Sequence, residues 1–298
     1  ANAFLQDEIA LVKDTLSLSI GSKLEHNEFS GWELQPSARL RWTPDRAHSA
    51  WAGVSRAVRT PNPLESDVRA NYMAYDTDGP GPTPTTLFSL LPNADLRSET
   101  LVAYEAGYRF ESSRGLYLDL AAFINVYDDL VAIDDAGVML ETDPAPTHLT
   151  LASRYGNVMR GDTRGIEVAP SWQVTASWKL AGGYTWLQMK LDSAAAGQAG
   201  EEQADDSPAH QFHLRSSLQW RHNFSFDTAV YYVDSLPNQN VPSYVRLDAA
   251  LGWRPTAKLG VRLGGTNLLD DRHAEFRSYA LVPAQVQRSC YGKVTWQF

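Results

Sequence analysis

Apolar and polar residues alternate with a period of two along most of this chain, most sharply in its last third. Over residues 208–220, His210, Phe212, Leu214, Ser216, Leu218 and Trp220 share one side, and Gln211, His213, Arg215, Ser217 and Gln219 the other. Phe224, Phe226, Thr228, Val230 and Tyr232 repeat the pattern against Ser225 and Asp227. So do Val245, Leu247, Ala249, Leu251 and Trp253 against Tyr244, Arg246 and Asp248, and Leu259, Val261 and Leu263 against Lys258, Arg262 and Thr266. The chain ends the same way, with Val294, Trp296 and Phe298 opposed to Lys293, Thr295 and Gln297. Successive side chains of a strand point to opposite faces, so this period predicts strands, not helices. About thirteen are expected, over residues 1–11, 14–29, 34–44, 49–58, 98–111, 115–133, 150–174, 177–191, 208–220, 222–234, 243–254, 257–268 and 286–298.

The connections alternate as well. Short turns are expected at 13–14, 43–48, 111–115, 175–176, 221–222 and 255–257. Long polar connections are expected at 58–97, 132–149, 192–207, 235–242 and 269–285. Short turns at one end and long loops at the other mark an all-β antiparallel transmembrane β-barrel. Aromatics gather near strand ends, at Trp42, Trp51, Tyr108, Phe110, Trp172, Trp178, Trp220, Trp253 and Trp296. Rings at that level suit the two girdles of a barrel. A soluble sandwich would keep loops of similar length at both ends and has little use for a connection as long as 58–97. Several strands exceed the roughly ten residues that cross a bilayer, so they stand above the membrane and continue into the loops.

Composition fits that picture. Mean hydropathy is -0.34, and no apolar run approaches the roughly 20 residues of a membrane helix. Barrel strands average to modest hydropathy because every second residue is polar. A formal net charge of -9 argues against nucleic acid as a partner. Cys290 is the single cysteine, which excludes an internal disulfide and a cysteine metal cluster. The histidines are scattered, and His210 and His213 fall on opposite strand faces, so no metal and no cofactor is expected. Ser207 and Ser216 lie near these two histidines, but no nucleophile motif surrounds them and no enzyme is expected. The first residues lack the basic start and apolar core of a signal peptide.

Six short motifs then occur in order over residues 55–298. They are Ser55-Arg56-Ala57-Val58-Arg59-Thr60-Pro61; Leu96-Arg97-Ser98-Glu99-Thr100 followed by Tyr104-Glu105-Ala106-Gly107-Tyr108; Gly165-Ile166-Glu167; Asp206-Ser207-Pro208-Ala209-His210; Val241-Pro242-Ser243-Tyr244 with Asp248; and Gly265-Thr266-Asn267-Leu268-Leu269-Asp270. Together they resemble the barrel of TonB-dependent outer-membrane receptors, and the terminal Phe298 resembles the assembly signal of outer-membrane barrels. Residues 1–54 match in strand character alone. The family's barrel has about 22 strands around an N-terminal plug. Residues 1–298 are therefore expected to be one domain, the C-terminal portion of such a barrel, truncated at its front, without plug or TonB-contacting box and about nine strands short. The odd strand count agrees, since bacterial single-chain barrels have even counts.

The resemblance implies active uptake of a scarce nutrient across the Gram-negative outer membrane, with a ferric siderophore as the leading ligand class and cobalamin, haem or a sugar as others. The partners it implies are the TonB complex, acting through the plug, and outer-membrane lipid. The alternative is a passive porin-like or adhesin-like barrel. Ferric siderophores are often anionic and rich in rings, so arginines and aromatics at the outer ends are the candidate contacts. These are Trp32, Arg56, Arg59, Arg69, Tyr72, Tyr75, Arg154, Tyr155, Tyr232, Arg277 and Tyr279, with Arg69, Tyr72 and Tyr75 foremost because they sit in the longest connection. Glu105, Glu167, Arg215, Arg246, Asp248 and Arg262 are expected to line the lumen. Asp134, Asp135, Glu201, Glu202, Asp205 and Asp206 are expected to be solvated loop charges.

Overall fold

The computed structural model describes residues 1–75, 86–143, 145–193, 206–221, 223–277 and 284–298. In chain order its elements begin with β1 (Asn2–Val12), β2 (Leu16–Asn27), β3 (Gly31–Trp42), β4 (His48–Arg59) and the one-turn helix α1 (Pro63–Ser66). Then come β5 (Ala70–Tyr75), β6 (Thr86–Leu91), β7 (Glu99–Glu111), β8 (Leu116–Glu141), β9 (His148–Thr175), β10 (Trp178–Ser193) and β11 (His210–Trp220). The last are β12 (Phe224–Val233), β13 (Tyr244–Trp253), β14 (Leu259–Thr266), β15 (Arg272–His273), β16 (Val286–Gln287) and β17 (Ser289–Trp296). The main path runs β1-β2-β3-β4-β7-β8-β9-β10-β11-β12-β13-β14-β17, each strand antiparallel to the next. These thirteen are the strands read from the alternation. Asp14, Gly115 and Arg221 take φ of 57°, 76° and 57° and close three of the short turns.

Register lines the apolar positions up across the sheet. Leu18 opposes Ile9 on one side and Leu40 on the other. Ile166 opposes Ala122 and Trp186, and Leu251 opposes Phe226 and Leu263. A one-residue slip would turn each of these rows over, so the apolar face fixes the register. That face is exposed along its length, with Leu5 at 79% and Val294 at 70%. The buried apolar cluster is small: Leu236, Val241 and Ala274, in the connections at the long-loop end. A sheet this greasy on one side, with so few buried apolar residues among those described, is unsuited to water. It suits lipid, where a strand ladder satisfies the backbone and the side chains meet hydrocarbon.

The opposite face carries Glu105, Glu167, Arg215, Arg246, Asp248 and Arg262, as the alternation requires. His210 shares the apolar face with Trp186, and His213 the polar face with Gly183.

Three expectations are corrected. First, most of 132–149 is strand: β8 continues to Glu141 and β9 begins at His148, and the two, of 26 and 28 residues, form one tall hairpin. At about 3.3 Å per residue β8 is roughly 85 Å long, far beyond the ten or so residues that cross a bilayer. Its Gly and Asp residues read as loop, but register shifts near Leu130 and Gly137 absorb them. Second, the connection 58–97 holds α1 and the β5–β6 hairpin, and β6 runs parallel to β9. Third, Trp51 is no girdle residue. It shares parity with Ser49, Gly53 and Ser55 and lies on the polar face opposite Gly107. A Cβ at Gly107 would stand 2.4 Å from Trp51 Nε1, so the glycine makes room for the indole. The Arg39 guanidinium covers that ring at 4.6 Å. The other eight ring positions lie on the apolar face near the short turns, where one girdle belongs.

Candidate ligand-binding site

The long-loop end is built by strands that outlast the membrane. Asn62-Pro63-Leu64-Glu65 starts α1 with a capping box: Asn62 Oδ1 accepts from the amides of Leu64 and Glu65, and Glu65 Oε2 accepts from the Asn62 amide. Glu65 Oε1 also accepts from Arg59 Nη1 at 2.9 Å. Arg59 donates twice more, to the two oxygens of Glu99, and Glu99 Oε1 accepts from the Val131 amide at 2.8 Å. The Arg59 guanidinium thus joins the ends of β4 and β7 and the helix, and Glu99 extends the link to β8. Nearby, Asn93 donates to the Tyr155 carbonyl, while Asn157 accepts from the Arg97 amide and donates to the carbonyls of Arg97 and Asp129. Segment 60–97 is therefore fastened to the tall hairpin by polar side chains.

Above this lies a four-stranded sheet in the order β8-β9-β6-β5. On one face Arg69 grips Glu141 with both Nη atoms, at 3.0 and 2.6 Å, and Thr150 donates to the same carboxylate. Asn71 Oδ1 accepts from Ser89 Oγ and from Arg69 Nε. The Arg69 guanidinium, and after it the Thr150 hydroxyl, draw the Glu141 carboxyl down to about 2. Glu141 in turn raises Arg69. The other face carries Tyr72 and Tyr75, both 59% exposed, with the Tyr72 ring 6.3 Å from Phe88.

The structure therefore gathers Arg69, Tyr72, Tyr75, Arg154 and Tyr155 on one outer sheet. Arg154 is exposed between Asp134 on β8 and Leu91 on β6, and no carboxylate among the described residues pairs with it. Trp32 instead lies on the apolar face, its ring 4.8 Å from His26. Arg56 has apolar-face parity and donates to the Leu34 carbonyl at 2.6 Å. Tyr232 lies there too, between Phe212 and Val245, with its hydroxyl on Asp234. Arg277 sits in a separate loop, its amide on Gln239. Tyr279 lies outside the described residues, as do Glu201, Glu202 and Asp205. Asp134 and Asp135 fall within β8, and each accepts from a backbone amide just after it in the chain.

Sequence reasoning missed Glu65, Glu99, Glu141, Asn93 and Asn157, which hold this surface together. The capping pattern of Asn62 with Glu65 was a readable signal for the first. The partners of the others lie 28 or more residues away, or on the far strand of a hairpin, and leave no local trace.

Residues of separate sequence motifs meet in the fold. Arg59 of the first pairs with Glu99 of the second. Asp248 of the fifth accepts from the amide of Asn267 of the sixth at 3.0 Å. Asn267 is fully buried with φ 54°, and its Nδ2 donates to the Val286 carbonyl. The family model "TonB dependent receptor-like, beta-barrel" matches residues 1–268. The chain belongs to the TonB-dependent receptor β-barrel family. Its place is the Gram-negative outer membrane, with the apolar face toward lipid and the polar face toward the lumen.

Individual relatives agree. The iron-regulated outer membrane virulence protein of Vibrio cholerae is 25% identical over 285 residues, 92% of this chain and 41% of that protein. The ferric enterobactin receptor PirA of Pseudomonas aeruginosa is 24% identical over 290 residues, 90% of this chain and 36% of the receptor. A crystal structure of a mutant of the ferric enterobactin receptor PfeA from the same species superposes with a TM-score of 0.73 at 18% identity, covering all of this chain and 44% of that one. The chain spans about two fifths of the length of the curated relatives it matches.

Proposed function

We propose that this TonB-dependent receptor barrel belongs to a receptor for active uptake of a ferric siderophore. The observation that carries the reading is the match of residues 1–268 to the family together with relatives described as iron-regulated and as ferric enterobactin receptors. The outer sheet β8-β9-β6-β5 supplies the capture surface. Tyr72 and Tyr75 offer ring faces for stacking on one side of it, while Arg154, on the opposite side with Ser89 and Thr150, carries a guanidinium that no carboxylate among the described residues engages. Arg59 and Arg69 act differently: their guanidiniums are occupied by carboxylates, and they hold the surface in shape. Transport draws its energy from the TonB complex acting on a plug, and no covalent bond is made or broken in the ligand.

The test is equilibrium binding of ferric enterobactin, haem and cobalamin to the complete receptor in detergent. The reading expects ferric enterobactin to bind tightest. It expects Tyr72→Ala with Tyr75→Ala to weaken that binding at least tenfold, about 1.4 kcal/mol, and Arg154→Ala, on the opposite side of the sheet, to weaken it less. Preference for haem or cobalamin would overturn the ligand class. Unchanged affinity in the tyrosine double variant would overturn the surface.

A further inference from the structure

One seam of the wall departs from the rest. β3 and β4 pair from Trp42 opposite Ala50 up to Ser37 opposite Ser55, and there their ladder stops. Both strands run on, β3 to Gly31 and β4 to Arg59. Above the break, residues 31–36 pair with β2 alone and residues 56–59 with β7 alone. Other strands joined by a short turn stay paired much higher: β7 with β8 from Glu111 to Thr100, and β11 with β12 from Trp220 to Gln211. The cause is local. The next rung would set Pro36 against Arg56, and proline has no N–H to give to a ladder. With the girdle ring Trp42 as the floor, about 3.3 Å per residue and a tilt of about 40° put the break about 13 Å up and Trp32 about 25 Å up, where the apolar band of a barrel ends. The seam is thus open through the outer half of the bilayer, where hydrocarbon offers a backbone carbonyl no partner. Arg56 supplies one. It reaches across the gap, with Nη1 donating to the Leu34 carbonyl at 2.6 Å and Nη2 lying 3.7 Å from Glu33 Oε2.

We propose that this seam is a lateral slot for a phosphate-bearing glycolipid of the outer leaflet, with one acyl chain lodged beside Leu34 and Val58 and a headgroup phosphate on Arg56. Leu34 and Trp32 stand exposed on the apolar face at the rim of the gap. A guanidinium presents its donors in a planar fork that fits phosphate oxygens, and Arg56 gives one of its own to Leu34. Glu33 belongs to the polar face, opposite Glu25, so the outward side of the guanidinium is left to an anion. The Trp32 ring stands at headgroup level, where interfacial aromatics belong. An added peptide strand is the wrong occupant, because Pro36 denies it a rung as it denies β4 one. The slot opens toward lipid, not the lumen, and it is independent of which nutrient the outer sheet captures.

The test places the complete receptor in lipid nanodiscs that contain radiolabelled phosphorylated outer-membrane glycolipid, with a photo-crosslinking benzophenone side chain at Val58. The control carries it at Val126 on the apolar face of β8, which like Val58 lies ten residues beyond the first residue of its strand. Labelling of the glycolipid from Val58 should exceed that from Val126 at least fivefold. It should fall at least fivefold when the glycolipid is stripped of phosphate, and likewise in Arg56→Gln. Pro36→Val restores the missing N–H, lets the rung close and should lower labelling as much, while Arg56→Lys should retain most of it. The phosphate comparison needs no substitution, so it decides the matter where Arg56→Gln fails to assemble, which heat-modified gel mobility reports. Equal labelling from the two positions, or labelling from Val58 indifferent to phosphate and to Pro36→Val, would overturn the proposal.

Discussion

Arg59 holds both carboxylate oxygens of Glu99, Nε to Oε2 and Nη2 to Oε1, each at 2.7 Å. This planar two-point grip ties the last residue of β4 to the first of β7, which the chain separates by the 39-residue connection 60–98. Because Glu99 is largely shielded from water, removing its partner strands a charge. Arg59→Ala is therefore expected to cost about 1–3 kcal/mol locally. The readout is proteolysis of segment 60–97 in the folded receptor, which should speed up while the membrane strands stay protected. An unchanged cleavage rate would show that the pair does not fasten the platform.

Acid should loosen the outer sheet through Glu141. Its carboxyl is drawn down to about 2 in the folded protein by Arg69 and Thr150, against 4.5 ordinarily. A depressed carboxylate contributes stability above its ordinary value and loses it as the pH falls through the folded value. Hydrogen exchange of β5 and β6 should accordingly rise as the pH drops from about 4.5 toward 2, after correction for intrinsic rates. Glu141→Gln should show fast exchange already at neutral pH and little further change in that window.

Gly107 has no room for a side chain, because Trp51 Nε1 would lie 2.4 Å from its Cβ. Gly107→Ala should destabilise the barrel by about 1–3 kcal/mol, as overpacking does. Trp51→Ala alone should cost less than Trp→Ala in a packed core, since the ring is only half-buried. The double variant should recover part of the Gly107→Ala loss. Urea titration of the folded receptor in detergent measures all three.

Asn267 takes a left-handed backbone, buried, with its amide on Asp248. Asn tolerates that conformation and β-branched residues do not. Asn267→Gly should keep assembly near normal, while Asn267→Val should reduce it sharply. Asp248→Ala should cost about 1–3 kcal/mol, since it removes the acceptor of a buried amide and the partner of Arg246. Heat-modified gel mobility separates these outcomes.

The thirteen membrane strands were legible because one physical constraint, lipid on one side and water on the other, writes itself into every second residue. The outer sheet was not, because it is held by long-range polar contacts such as Asn93 to Tyr155 and Arg69 to Glu141. Their residues look like ordinary loop residues until the partner strand is in place. Trp51 was misjudged by position alone. Its parity with Ser49, Gly53 and Ser55 already put it on the polar side. Of the candidate contacts, Tyr72, Tyr75 and Arg154 keep side chains available to a ligand. Arg59 and Arg69 have theirs engaged by carboxylates, a distinction that residue type cannot make.

The most direct test of the account is uptake of radiolabelled ferric enterobactin by iron-starved cells whose only siderophore receptor is the complete protein containing this barrel. The account predicts uptake that stops when a protonophore collapses the inner-membrane potential, with surface binding retained. Absence of uptake, or passage of the ligand that continues in de-energised cells, would contradict it.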